Sequence, residues 1–312
     1  MRLFPMHKLG TLLMAAGAIL FTTQGMATMT QDEIREGYRK HAAMAQFHRW
    51  YQLYERPGGG VANALDILAE DVTVVSGLGT AKGHDEYAER VGKLPDTWKN
   101  AHFLKDSDVS VDDDGTASLT AAITYLNEGM DPEGRVRKAD LTYSMTLVPG
   151  DGVLPVFRTI GIGQDSEGTA PVFRDAYGEN RMLSLVHYWL ALIEDPARDP
   201  EPVREILADD FSLNFSSGAI TDFDGFEAWL AGPASAVAAS THRIGDFSST
   251  VEDDGTYTIT MTFDWAGILP DGGELVAKTG HTWRVENALT ERFARIRTVD
   301  VEILEPFRPK PE

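Results

Sequence analysis

The sequence predicts an α+β chain of two tandem domains, each with about three helices packed on a curved antiparallel sheet. Two observations predict it. First, the chain repeats itself. "EILADDFSLNFSSG" from Glu205 echoes "DILAEDVTVVSGLG" from Asp66 at an offset of 139 residues. "THRIGDFSSTVEDDGTYTITMTFDW" from Thr241 runs against "AHFLKDSDVSVDDDGTASLTAAITY" from Ala101 at an offset of 140. "FHRWYQLYE" from Phe47 matches "VHYWLALIE" from Val186, and "FRTIGI" from Phe157 matches "IRTVDV" from Ile296. A unit of this length is domain-sized, whereas solenoid repeats run to about 20–50 residues. Second, helical periodicity comes first within each copy and strand periodicity follows, the α+β order.

The elements follow in chain order. Phe47, Trp50, Tyr51 and Tyr54 fall at i, i+3, i+4 and i+7, as do Val186, Trp189, Leu190 and Ile193, so each copy opens on an amphipathic helix. Pro57-Gly58-Gly59-Gly60 breaks the first, and Pro196 with Pro200 breaks the second. Short helices over Ala64 to Leu68 and Val203 to Leu207 come next, then strands at Val72 to Ser76 and Phe211 to Phe215. Third helices cover Asp85 to Val91 and Phe226 to Leu230. The period then becomes two: Tyr257, Ile259, Met261, Phe263 and Trp265 alternate with Thr258, Thr260, Thr262 and Asp264. Asp114-Gly115 and Asp254-Gly255 are hairpin turns. Ala139 to Val148 with Leu154 to Ile162, and Ala277 to Val285 with Ala294 to Ile303, complete the two sheets. The resulting expectation is a first domain over 28–163, a linker over 164–180 rich in Gly, Asp and Glu, and a second domain over 181–306.

Residues 1–27 read as a cleavable signal peptide. Arg2 and Lys8 precede the apolar run Leu9 to Phe21, and Gly25-Met26-Ala27 supplies small residues for a cut near Ala27. The run is shorter than the roughly 20 apolar residues of a membrane span. The chain is therefore expected to be periplasmic or secreted, with no stable membrane span after processing. It has no Cys, which excludes disulfides and thiolate chemistry. With 43% hydrophobic residues it can bury two cores without them. A net charge of −20 opposes binding to nucleic acid.

The "LAxD" steps Leu68-Ala69-Glu70-Asp71 and Leu207-Ala208-Asp209-Asp210 lead from helix into strand. Ala101-His102-Phe103 and Thr241-His242-Arg243 head the next long strand, and Thr142-Tyr143 and Thr282-Trp283 lie on the penultimate one. In these residues and in element order, nearly all of the mature chain resembles the nuclear transport factor 2-like superfamily, also called SnoaL-like, twice over. The resemblance implies two cones, each a curved sheet closed by helices around an apolar pocket. It does not imply an activity, because the superfamily holds ketosteroid isomerases, scytalone dehydratases, polyketide cyclases, epoxide hydrolases and noncatalytic proteins.

His102 and His242 are the leading catalytic candidates: both copies keep a His at one strand position, and a neutral imidazole shuttles protons near pH 7. Scytalone dehydratase-like enzymes place a pocket His after a similar step. The alternative is a structural His bonded to backbone. His281 shares the parity of Trp283 and Val285, where the first copy has Leu141. Tyr188 is a candidate oxyanion donor by resemblance to the ketosteroid isomerases. Arg158 and Arg297 share parity with Ile160 and Val299, and a buried arginine needs an anionic partner: a substrate carboxylate or enolate, or an internal Asp or Glu. Trp50, Tyr125, Tyr143, Trp189, Trp265 and Trp283 are the aromatic residues expected to contact a ligand. His48 and His187 read as half-exposed packing residues.

Neither familiar acid–base set is complete. The ketosteroid isomerase Asp position, seven residues after the Ala of "LAxD", holds Ser76 and Phe215. The first-helix carboxylate of scytalone dehydratase-like enzymes is matched most nearly by Gln52 and Ala191. There is no metal-ligand spacing, Gly-rich phosphate loop or nucleophile elbow. The function expected is binding of a small hydrophobic or cyclic molecule, with cofactor-free lyase, isomerase or cyclase chemistry by a pocket His, more in the second copy than the first. The rival expectation is a noncatalytic ligand-binding or assembly module. The duplication further suggests an intramolecular pseudo-dimer joined through the outer sheet faces.

Overall fold

The computed structural model describes residues 29–56, 62 and 64–311. The signal-peptide expectation and the Pro57–Gly60 break lie outside the described residues. Each half is an α+β cone. In the first, helix α1 (Gln31–Glu55) precedes strands β1 (Leu68–Ser76) and β2 (Gly79–Lys82), and helix α2 (Gly83–Val91) follows. Strands β3 (Lys99–Val111), β4 (Ala117–Glu128), β5 (Val136–Val148) and β6 (Val156–Ala170) then form a meander. The second half repeats the order with α3 (Tyr177–Glu194), β7 (Leu207–Phe215), β8 (Gly218–Ile220), α4 (Phe223–Ala231), β9 (Ala239–Val251), β10 (Tyr257–Ile268), β11 (Glu274–Glu286) and β12 (Arg295–Pro309). The short segments before β1 and β7 are 3-10 turns.

Both sheets have six strands, ordered β2-β1-β6-β5-β4-β3 and β8-β7-β12-β11-β10-β9. They are mixed rather than purely antiparallel: β1 joins β6 in parallel, and β7 joins β12 in parallel. The segment read as a linker is mostly ordered structure, since β6 continues to Ala170 against β5 and α3 begins at Tyr177. Its Gly and acidic residues sit on an exposed strand end, where polarity does not interrupt pairing. No helix among the described residues is long and apolar enough to cross a membrane.

Helix α1 begins at a reciprocal capping box. Thr30 Oγ1 accepts from the Glu33 N–H at 3.2 Å, and the Glu33 carboxylate accepts from the Thr30 N–H at 2.6 Å. From His41 to Leu53 every residue of α1 is buried. A helix buried all round has structure on both sides. Phe47, Trp50 and Tyr51 face the first core, while Ala42 and Ala45 join the second.

The two halves therefore pair through α1 and α3, which pack against each other, and α1 also lies on β9. This is an intramolecular pairing, but not one through the outer sheet faces. Thr258, Thr262 and Asp264 instead make contacts within the second half, to Glu252, Asp246 and Lys278. The small residues opposite the aromatic stripe of α1 allow the close approach. A Cβ at Gly37 would sit 2.0 Å from Thr241 Oγ1 and 2.5 Å from Thr241 Cβ. Gly37→Ala is therefore expected to lower stability by about 1–3 kcal/mol through overpacking, read as a shift in urea midpoint at unchanged slope.

Candidate functional site

Each cone carries the same construction where its first helix ends. Glu55 is the last residue of α1, and Glu194 is the last residue of α3. Glu55 Oε1 accepts from the His102 backbone N–H at 2.6 Å and faces His102 Nδ1 at 2.9 Å. Glu194 Oε1 accepts from the His242 backbone N–H at 2.9 Å and faces His242 Nδ1 at 2.7 Å. The carboxylate thus grips one histidine by main chain and ring together. Nδ1 carries the proton it donates, so Nε2, at the opposite edge of the ring, is the nitrogen left with a lone pair. On the sheet, His102 pairs directly with Tyr125 and His242 with Trp265.

Both carboxylates carry a sequence signal that differs from the expected positions. Glu closes both helix anchors, "FHRWYQLYE" and "VHYWLALIE". Glu55 and Glu194 lie one helical turn beyond Gln52 and Ala191.

The first cavity, about 720 Å³, is lined by His102, Trp50, Tyr125 and Tyr143 among the expected residues. Tyr54, Tyr87, Trp98 and Asn100 also line it, and Ser76 lines it where a ketosteroid isomerase has its Asp. Its phenols are bonded: Tyr54 and Tyr87 hydroxyls lie 2.8 Å apart, and Tyr125 donates to Asn100 Oδ1 at 2.7 Å. Burial pushes the Tyr125 phenol up to about 12 and Tyr54 well above its ordinary value, so both stay protonated donors.

The second cavity, about 360 Å³, is more apolar. Trp189, Phe215, Trp229, Trp265 and Phe307 line it with His242 and His281. The Trp283 indole N–H donates to His281 Nδ1 at 3.3 Å, so His281 is the neutral Nε2–H tautomer, with Nε2 3.0 Å from Thr279 Oγ1. Burial lowers His281 to about 3, helped by His242. It also lowers His242 to about 3 and raises Glu194 to about 7.

Four expected site residues lie elsewhere. Tyr188 is one residue before Trp189, and that step turns it off the cavity face. It stacks on Phe293 at 4.4 Å, with its hydroxyl 3.4 Å from Glu205. Trp283 is fully buried behind His281, edge-on to Trp189. Arg158 and Arg297 are half exposed on the outside, paired with Asp71 at 3.4 Å and Asp210 at 2.8 Å. Strict alternation put them inward, but each sits at a bulge. Thr146 pairs with Thr159 and Leu147 with Phe157, skipping Arg158. Arg284 pairs with Thr298 and Val285 with Ile296, skipping Arg297. One extra residue reverses the facing. His48 and His187, expected to be half-exposed packing residues, lie between the halves with rings stacked at 5.6 Å.

No family model and no curated protein matches the chain. Solved structures do. The hexachlorocyclohexane dehydrochlorinase LinA-type3 from Novosphingobium barchaimii is 14% identical and has a TM-score of 0.39, covering 46% of this chain and 97% of its own. ActVI-ORFA from Streptomyces coelicolor is 17% identical with a TM-score of 0.33, covering 39% of this chain and 96% of its own. An uncharacterized protein with a cystatin-like fold from Caulobacter vibrioides is 16% identical with a TM-score of 0.34, covering 41% and 91%.

Proposed function

We propose that the protein binds a small hydrophobic or cyclic molecule in each cone and moves a proton on it without a cofactor, as a lyase or isomerase does. The observation that carries this reading is the Glu–His pair built twice at a cavity wall. A histidine locked as Nδ1–H presents a basic Nε2, and the carboxylate behind it stabilises the imidazolium formed when a C–H proton is taken. In the first cavity, the Tyr54–Tyr87 pair uses one of its two phenol protons on the bond between them, and the other would be donated to oxygen as negative charge develops there.

The first cavity supports this chemistry better than the second, reversing the sequence expectation. Glu55 accepts from His102 and from Asn180, so both of its oxygens are held. Burial instead pushes Glu194 toward neutrality. The second cavity suits an aromatic or alicyclic ligand held among Trp189, Trp229 and Trp265, with His281 as a polar contact. The apolar Leu9 to Phe21 run supports export with cleavage near Ala27; an intact mass lacking residues 1–27 on the protein recovered from the periplasm or medium would bear this out.

The test is exchange of carbon-bound hydrogen in D₂O, followed by NMR over a panel of cyclic ketones and cyclohexenones. His102→Ala is expected to lower exchange by about 10²–10⁴-fold, and His242→Ala to have the smaller effect. Exchange unchanged in both variants would remove the assignment. Ligands that raise thermal stability without any exchange would favour the noncatalytic binding module.

A further inference from the structure

Between the cones lie buried polar side chains that touch neither cavity. Asn180, on α3 of the second half, is 3% exposed. Its Nδ2 donates to Glu55 Oε2 at 2.9 Å and to the His102 carbonyl at 3.0 Å. His41, on α1 of the first half, is 8% exposed. Its Nε2 donates to the His242 carbonyl at 2.9 Å and lies 3.7 Å from Glu194 Oε1. Residues 41 and 180 are the same position of the repeat, at the offset of 139 that relates Glu55 to Glu194. Each first helix therefore holds its own carboxylate at its last residue and, four turns earlier, reaches across to the opposite pair.

We infer that each Glu–His pair is completed by the other half: Asn180 is the positioning residue for Glu55 and His102, and His41 for Glu194 and His242. The inference rests on the proton-transfer reading of those pairs and adds who holds them. A buried carboxylate with a free oxygen can rotate or take up a proton, and either change releases the histidine from one tautomer. Asn180 fixes the second oxygen of Glu55 and the carbonyl of His102 at once. His41 fixes the His242 carbonyl and packs beside Glu194 Oε1 at 3.7 Å, without reaching Oε2.

The positioning residues are themselves held. The Asn180 amide spends its N–H groups on Glu55 and His102, so its Oδ1 accepts from His48 Nδ1 at 2.9 Å. His41 spends Nε2–H on a carbonyl, so as a neutral ring its Nδ1 accepts from His187 Nδ1 at 2.9 Å. His48 and His187 are again equivalent positions, and their rings stack with planes 12° apart. The chain of contacts runs from one cavity wall to the other.

The test uses the whole protein with ¹⁵N-labelled histidine and reads ring tautomers by long-range ¹H–¹⁵N correlation, with signals assigned through His102→Ala and His242→Ala. In the parent, both rings are expected as Nδ1–H. Asn180→Ala is expected to reduce the Nδ1–H preference of His102 by about tenfold, the effect of one hydrogen bond, and to leave His242 as it was. His41→Ala is expected to do the reverse. His41→Asn copies the first-half solution into the second and is expected to keep His242 in the Nδ1–H form. If Asn180→Ala does not fold, Asn180→Ser removes the same donors with less loss of volume and is read in the same way. Unchanged tautomers in folded variants, or equal loosening of both rings in each variant, would overturn the inference. The readout needs no turnover, so failure of the exchange assay and failure of this inference are separate results.

Discussion

Acidification from pH 7.5 to 5.5 is expected to lower stability steeply and to unfold the protein by about pH 5. Burial lowers the proton affinity of His41 and His187, takes His48 to about 4, and takes His242 and His281 to about 3. The unfolded chain takes up these protons near its ordinary histidine value of about 6.5. Above that value the neutral rings favour neither state through protonation. Below it, the unfolded chain binds protons that the folded chain refuses, so stability is lost as pH falls through 6.5 toward the folded values. Glu194 acts in the opposite direction. Burial raises it to about 7, so its contribution is present at low pH and is lost as pH rises from about 4.5 through 7. One carboxyl set against the four rings held well below their ordinary value, His48, His187, His242 and His281, leaves a net uptake of about three protons, roughly 4 kcal/mol per pH unit once uptake is complete. A domain's whole stability is about 5–15 kcal/mol. The measurement is the urea midpoint at several values between pH 7.5 and 5.5, and a flat profile would contradict it.

Glu55→Ala is expected to destabilise by about 3–5 kcal/mol, measured by urea unfolding at neutral pH. The substitution leaves the His102 N–H, the His102 ring N–H and the Asn180 amide buried without their acceptor. Orphaned buried donors carry their full desolvation penalty. Glu194→Gln is expected to differ, changing stability by under about 1 kcal/mol, because burial already disfavours that charge.

The fold was legible because the repeat and the change of period are local signals. Phe47, Trp50 and Tyr51 announce a helix stripe, and Tyr257 to Trp265 announce a strand, whatever surrounds them. The site was legible only in part. His102 and His242 stand out as one strand position kept in both copies. Glu55 and Glu194 are equally kept, but they lie one turn beyond positions 52 and 191, where the resemblance places a carboxylate. Arg158 and Arg297 were misplaced by bulges, which a residue count cannot register. Of the polar row, His48 and His187 read from sequence only as packing residues, and His41 and Asn180 carry no signal of their own. A helix with aromatic residues on one side and Ala, Gly and His on the other reads as half exposed until its partner is known.

The burial of α1 on both sides has a consequence for how the chain comes to its final state. Strand β1 cannot be paired on both edges until β6, ending at Ala170, is available to it. Even then Ala42 and Ala45 face nothing until the second half forms, and that half must wait for β12 to lie beside β7. Closing contacts of such sequence separation is slow. During synthesis, the first half would pass through a stage with one helix face uncovered, where such intermediates are prone to association. The second cone thus acts as a late-arriving cover for the first, and a chaperone that shields an exposed helix face would have its greatest effect in that interval.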